Sequence, residues 1–313
     1  SDLIQNQIPL ILFWKLLNHT LMNTFVQIRT SLPYAFVVVD TDMVVSDDHS
    51  VIQHLRSMST PGHILVIDPD DQTPEMAAKR AIACVLAGTN CIFVGGSTAV
   101  DGTPVHDTVL AIQESLELCK WNASQDSESS EDMWNIPVLL FPSGARALSP
   151  AADGITFMTL MNSRNLQFVM GEQVLGGPIV QKMGIEPIPM GYFVFAPGGK
   201  VGEVGEADLI ESDEMERCIS YVSAAECFGF PLIYLEAGSG ASSPVPPEMI
   251  TAARKYAPNA VIIVGGGMYN GELAQQSVKA GADWIVTGNL TEEFDDAAEL
   301  EKVMREYIQT MRE

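Results

Sequence analysis

Two kinds of residue run carry the chemistry this chain could perform. In Tyr234-Leu235-Glu236-Ala237-Gly238-Ser239-Gly240, a phenol and a carboxylate stand two residues apart and a glycine turn follows. On an extended strand that spacing puts Tyr234 and Glu236 on one side. Two later turns, Gly265-Gly266-Gly267 and Thr287-Gly288-Asn289, are of the same kind. Glycine turns after the last strands of a barrel bring backbone N–H groups against phosphate oxygens and need little positive charge. Gly238, Ser239, Gly240, Gly266, Gly267, Gly288 and Asn289 are therefore a candidate phosphate cradle. Tight turns without a ligand are the competing reading, and the agreement of three turns weighs against it.

Two earlier runs point to a second charge centre. Asp68-Pro69-Asp70 sets two carboxylates at i and i+2, and these can offer hard oxygen ligands to Mg²⁺. Aspartate capping a helix start is the plainer alternative. Gly95-Gly96-Ser97-Thr98 combines close backbone approach with a Ser97 hydroxyl that could touch a metal or a phosphate.

The elements that must position these residues are regular. Apolar runs at His63–Ile67, Cys91–Val94, Pro137–Phe141, Gly154–Thr159, Gly191–Phe195, Pro231–Leu235, Ala260–Val264 and Trp284–Val286 lack strict alternation, as strands buried on both faces do. Helical segments separate them, with Pro74 and Pro246-Pro247-Glu248 at helix starts. Eight such units predict a closed (βα)8 TIM barrel with the candidate residues at its C-terminal mouth. Phe141 and Gly154 are too close for a full helix, so the third helix is expected to be missing or reduced to a loop. Asn122–Asn135, rich in Ser, Asp and Glu, reads as a disordered surface loop.

The chain has 313 residues, 47% of them hydrophobic, and a formal charge of −23. One large core fits this length, and the charge argues against nucleic acid as a partner. It fits either a salt-adapted cytoplasm or a plain solubility device. The five cysteines form no C-x-x-C pair, which suggests buried free thiols in a reducing compartment. Residues 1–42 lack the acidic bias of the rest. Their apolar stretch Ile8–Leu17 is too short to span a bilayer. This segment is expected to be a poorly structured or non-native extension, with an amphipathic anchor as the alternative, and residues 43–313 to form the single barrel domain.

Taken with Ile67-Asp68-Pro69-Asp70, Val94-Gly95-Gly96-Ser97-Thr98, Leu140-Phe141-Pro142, Met190-Gly191-Tyr192, Pro197-Gly198-Gly199, Val264-Gly265-Gly266-Gly267 and Pro244-Val245-Pro246, the segment Tyr234–Ala241 is similar to the geranylgeranylglyceryl phosphate synthase, or PcrB-like, family. The resemblance spans about Ser50 to Gly288. It implies a modified barrel without its third helix and a prenyl transfer from geranylgeranyl diphosphate to the C3 hydroxyl of sn-glycerol 1-phosphate, the first ether bond of archaeal-type membrane lipids. It further implies that Asp68 and Ser97 hold Mg²⁺ and that Tyr234, Leu235, Glu236, Ala237, Gly238, Ser239, Gly240, Gly266, Gly267, Gly288 and Asn289 bind the glycerol phosphate. Glu236 would be the general base, or would orient the hydroxyl if the diphosphate ionises early. A cytoplasmic homo-oligomer, loosely associated with the membrane that receives its product, completes the expectation.

One position departs from the family pattern. Asp71 stands where a lysine is common, and Lys200 and Arg146 on mouth loops are candidate substitutes, with plain surface charge as the alternative. Phe157-Met158-Thr159-Leu160-Met161-Asn162 lies where a missing helix would leave an apolar groove, although core packing explains such residues equally well. Another phosphate-binding barrel enzyme, such as a sugar phosphate isomerase, would share the glycine turns without needing Asp68 or a groove. A non-catalytic prenyl-lipid binder is the other alternative.

Overall fold

The computed structural model describes residues 50–96, 102–126 and 130–313. The expected extension over residues 1–42 and the expected metal ligand Ser97 lie outside the described residues. The rest is a closed barrel of eight parallel strands in sequential order, with the last strand pairing to the first through His63↔Ile285 and Leu65↔Thr287. The strands are β1 (Gly62–Ile67), β2 (Cys91–Val94), β3 (Val138–Leu140), β4 (Gly154–Leu160), β5 (Glu186–Val194), β6 (Leu232–Glu236), β7 (Val261–Gly265) and β8 (Trp284–Thr287). The helices are α1 (Ser50–Ser57), α2 (Pro74–Ala87), α3 (Gly102–Ser124), α4 (Glu172–Met183), α5 (Gly199–Val204), α6 (Met215–Phe228), α7 (Pro247–Tyr256), α8 (Gly271–Lys279), α9 (Asn289–Glu292) and α10 (Ala297–Arg312).

Strand alternation divides the core in two. Ile64, Phe93, Leu139, Met190, Tyr192, Tyr234, Ile263 and Trp284 fill the barrel interior. Leu65, Ile92, Phe193, Leu235, Val264 and Ile285 face the helical layer and pack against residues such as Ala81, Val109, Met249 and Met304. Apart from the exposed Pro187 and Pro189 at the start of β5, the strands are thus covered on both faces, which is why the sequence shows continuous apolar runs. The N-terminal end of the barrel is closed by α1. Val51 and Leu55 reach into the interior cluster, the Trp284 indole donates to the Leu55 carbonyl at 3.0 Å, and Glu186 accepts from the Val51 and Ile52 amides at 2.9 and 3.1 Å.

No helix stands between β3 and β4; turns fill residues 141–153, as expected. Two expectations are corrected. The polar stretch from Asn122 is not wholly loop, because α3 runs through Ser124 and Asp132–Trp134 makes one 3₁₀ turn. Strand β5 begins five residues before Gly191, at Glu186. Pro187 and Pro189 disguise its start. Their missing N–H groups point away from β4, since the alternate residue Glu186 donates to Asp153 on that side. The β6 side stays unpaired until Met190↔Leu232, so neither proline breaks a ladder bond.

All five cysteines are free, with Cys84, Cys91 and Cys218 buried. Burial pushes the Cys84 thiol up to about 12 and leaves it inert. Among the described residues, no helix is long and apolar enough to cross a membrane.

Candidate active site

The strand ends bring the predicted turns into contact. Glu236 closes β6 and is 7% exposed. One carboxylate oxygen accepts the Gly238 N–H at 2.6 Å. Burial raises the Glu236 pKa, while the neighbouring Tyr234 hydroxyl, the Gly238 amide and the Tyr192 hydroxyl oppose the rise. Both phenols are fully buried and pushed well above their ordinary range, first by desolvation and then by the charge on Glu236. They stay protonated, and Glu236 stands beside them at the end of the barrel interior.

Glycine is required where the turns converge. Gly238 has φ +103°, and a Cβ there would lie 2.4 Å from the Gly198 carbonyl carbon. Gly266 has φ +81°, and its Cβ would lie 2.5 Å from a Glu236 oxygen and 2.6 Å from the Gly238 nitrogen. Side chains would wedge these loops apart. Further bonds tie them together: Ala237 N–H to the Gly265 carbonyl at 3.0 Å, Gly198 N–H to the Ala237 carbonyl at 2.9 Å, and the Ser239 hydroxyl to Asn289 Oδ1 at 2.6 Å. Gly288 precedes α9 and borders Val66 of β1. Tyr234, Glu236, Gly238, Ser239, Gly266 and Asn289 are therefore brought together around one mouth. Leu235 and Ala237 are not: their side chains lie in the helix-facing core, and the Ala237 backbone is already bonded on both sides.

Asp68 follows β1 on the same mouth. Its Oδ1 accepts the Asp70 N–H at 3.0 Å, and its other oxygen lies over Gly96, whose Cβ would meet it at 1.8 Å. It does not cap the helix that follows; Thr73 does, accepting from Met76 with Pro74 in the first turn. Burial, then the charges of Asp71 and Asp70, raise the Asp68 pKa, while the Asp70 amide and Lys200 lower it. Glu292 is raised by burial and by Asp71 and Asp68. Lys200, in the first turn of α5, thus acts on Asp68 electrostatically, whereas Arg146 is an exposed side chain on the β3–β4 loop. The buried Arg80, unassigned from sequence, joins the β1 and β8 loops through Gln72 at 2.8 Å and the Glu292 carbonyl at 3.2 Å.

Beside this mouth, where the helix after β3 is missing, an apolar groove of about 840 Å³ of open space runs between β4 and α4. Phe141, Leu148, Phe157, Met158, Leu160, Val180 and Tyr192 line it. Of the stretch expected to form it, Met161 packs toward the helical core, and Asn162 is buried, donating to the Val194 and Asp208 carbonyls at 2.8 and 2.9 Å. The groove is bounded by Gly144-Ala145, which is held to α4 by a 2.7 Å bond from the Ala145 amide to Glu172. Tyr192 is the residue that sequence reasoning left without a role. Its only signal was a Met-Gly-Tyr run inside a strand.

Comparison with known proteins supplies a context for this geometry. Residues 122–311 match the PcrB family. The chain is 44% identical over 236 residues to the geranylgeranylglyceryl phosphate synthase of Methanosarcina acetivorans, covering 75% of this chain and 88% of that one. It is 41% identical over 244 residues to the enzyme of the same name from Pyrococcus abyssi, covering 78% and 89%. Among solved structures it resembles wild-type GGGPS from Thermoplasma volcanium (TM-score 0.74, 38% identity, 84% of this chain and 97% of that chain). It also resembles the Thermoplasma acidophilum synthase in complex with its substrate sn-glycerol-1-phosphate (TM-score 0.72, 34% identity, 87% and 99%).

Proposed function

Because the chain belongs to the PcrB, or geranylgeranylglyceryl phosphate synthase, family, we propose that it transfers a geranylgeranyl group from its diphosphate to the C3 hydroxyl of sn-glycerol 1-phosphate. The observation that carries this reading is the junction at Glu236: a buried carboxylate with glycine turns on one side and an apolar groove reaching its Tyr192 partner on the other. A sugar phosphate isomerase would have no use for that groove.

In this reading the glycine turns at Gly266, Gly267 and Gly288, with Ser239 and Asn289, hold the phosphate through backbone and short polar groups. Tyr234 and Glu236 hold the glycerol hydroxyls. As the bond between C1 of the donor and its diphosphate oxygen breaks, the C3 oxygen forms a bond to C1 and its proton passes to Glu236. The bond pair departs with diphosphate. Burial keeps the Glu236 pKa above the ordinary carboxylate range, which makes it a better proton acceptor than an exposed glutamate.

The residues at the mouth fit a hard divalent cation. Asp68 is half-buried among negative groups that a cation would neutralise. Among the described residues no three His, Cys, Asp or Glu side chains form a metal-holding group; Mg²⁺ is commonly held by one or two carboxylates plus substrate phosphates. Asp68, with Ser97 as the second candidate, would hold it. When bound, the ion supplies charge neutralisation to the departing diphosphate. Lys200 is the candidate for the positive charge that Asp71 does not provide.

The test is an assay with sn-glycerol 1-phosphate, Mg²⁺ and prenyl diphosphates of graded length. Ether product is expected, with the geranylgeranyl donor preferred, and absence of product with every donor would overturn the reading. Asp68→Asn is expected to raise the Mg²⁺ concentration needed for half-maximal rate; an unaltered Mg²⁺ titration would remove Asp68 from the metal site.

A further inference from the structure

The two halves of the proposed reaction meet at one side chain that neither half required. Tyr192 sits on β5 directly across from Tyr234 of β6. Its ring is 5.0 Å from the Tyr234 ring at 79° and 6.0 Å from the Phe141 ring at 78°. Phe141 and Tyr234 stack at 5.9 Å and 29°. Two of these rings, Tyr192 and Phe141, form part of the lining of the apolar groove. Tyr192 is 3% exposed, and its hydroxyl faces Glu236, where it opposes the rise in pKa that burial causes. The two tyrosines are not equivalent. Tyr234 places its hydroxyl over Gly265, where a Cβ would approach it to 2.2 Å, while Tyr192 has its ring on the groove and its hydroxyl on the base.

We infer that Tyr192 is a positioning residue for prenyl transfer, its hydroxyl fixing the Glu236 carboxylate and its ring, with that of Phe141, stopping the donor chain where C1 meets the acceptor oxygen. This rests on the proposed transfer reaction. The geometry gives the ring two tasks. It faces the positive charge that develops on C1 as the bond to diphosphate breaks, and an aromatic face favours such a charge. It also denies that position to water, whose attack would release prenyl alcohol and diphosphate in place of the ether. The hydroxyl favours the ionised form of the carboxylate and aims it. The groups that face Glu236 are Tyr192 from β5, Tyr234 from its own strand, the Gly238 amide, and Gly266 after β7. Removing one phenol from so small a set must be felt at the carboxylate. Loss of a donor to the charged form raises the pKa of an acid.

The experiment compares wild type with Tyr192→Phe and Tyr192→Leu, measuring kcat/KM against pH, KM for the prenyl diphosphate, and the ratio of ether to prenyl alcohol. Tyr192→Phe removes one oxygen and keeps the ring. Its acid limb is expected to move to higher pH, lowering the rate on that limb several-fold and by about tenfold if the limb moves one pH unit, with donor KM and product ratio unchanged. Tyr192→Leu is expected to raise donor KM and increase the share of prenyl alcohol several-fold. Thermal melting and calorimetric binding of sn-glycerol 1-phosphate check that each variant is folded; if the leucine variant does not melt cooperatively, the phenylalanine variant decides. An acid limb of Tyr192→Phe that coincides with wild type would overturn the inference while leaving the proposed function intact. A wild-type protein that makes no ether product defeats the function itself, before any variant is compared.

Discussion

Two glutamates at opposite ends of the barrel are buried almost equally, Glu236 at 7% and Glu186 at 9% exposure, yet their partners differ. Glu186 opens β5 at the N-terminal end. Each of its oxygens accepts a backbone amide from the first turn of α1, from Val51 and Ile52, where a helix N-terminus favours negative charge. Its bonding capacity is spent on holding the plug helix. Glu236 ends β6 at the C-terminal mouth and has one fixed backbone partner, Gly238. Its remaining donors are phenols, one of which borders an open groove. Burial therefore does not by itself separate a structural carboxylate from the proposed base. The difference lies in the partners and in the end of the barrel at which each stands.

The largest effect should come from breaking the mouth residue. Glu236→Gln is expected to lower turnover by about 10²- to 10⁴-fold, the usual contribution of a general base, with the thermal midpoint near wild type. Turnover that stays within about tenfold of wild type would assign Glu236 a role below that range. Next, Gly266→Ala would force a Cβ to within 2.5 Å of a Glu236 oxygen at φ +81°. Weaker binding of sn-glycerol 1-phosphate is expected, by about tenfold or more given the ~1–2 kcal/mol cost of a left-handed residue alone, and calorimetry measures it. Unchanged affinity would separate this turn from the cradle.

The opposite end should lose stability and keep activity. Glu186→Ala strands the buried Val51 amide, at a cost of about 1–3 kcal/mol. The thermal midpoint should fall by about 2–4 °C per kcal/mol for a domain of this size, with kcat unchanged; a loss of turnover matching that of Glu236→Gln would erase the contrast. The smallest effect concerns His63, near the start of β1, which bridges the Thr89 and Thr287 hydroxyls at 2.9 and 2.8 Å. Burial, with the charge of Arg312, lowers its pKa from 6.5 to about 3. The folded state thus keeps it neutral while the unfolded chain takes up a proton, so its contribution is complete above pH 6.5 and declines as pH falls toward about 3. Over the first unit below pH 6.5 the loss is about 1 kcal/mol, and urea midpoints of wild type and His63→Gln should diverge in slope there. Parallel slopes would rule out this source of acid sensitivity.

The contrast between the two ends also explains what could be read from the chain in advance. The runs at Cys91–Val94 and Trp284–Val286 agree with β2 and β8 to within one residue, because a strand buried on both faces must be apolar throughout. The short gap after Phe141 betrayed the missing helix by length alone. Tyr234 and Glu236 shared a face by strand period, and both belong to the mouth. Pro187 and Pro189 hid the start of β5, since proline in a strand is tolerated only where a neighbouring ladder is absent, and that depends on where β6 begins. Leu235 and Ala237 fell within the motif by sequence, and alternation turns their side chains to the helix-facing core.

The amino-acid sequence determined the barrel, the order of its turns and the candidate cradle, because strand burial, helix starts and glycine turns are local consequences of residue type. The tertiary structure decided which polar groups share a space. Tyr192 and Glu236 lie 44 residues apart in the sequence and meet only because β5 and β6 pair in the register Tyr192↔Tyr234. Glu186 is tied to α1 across 135 residues. Such partnerships depend on strand register and closure of the sheet, so a buried glutamate that holds a helix and one that stands beside two buried phenols look alike until the barrel is closed.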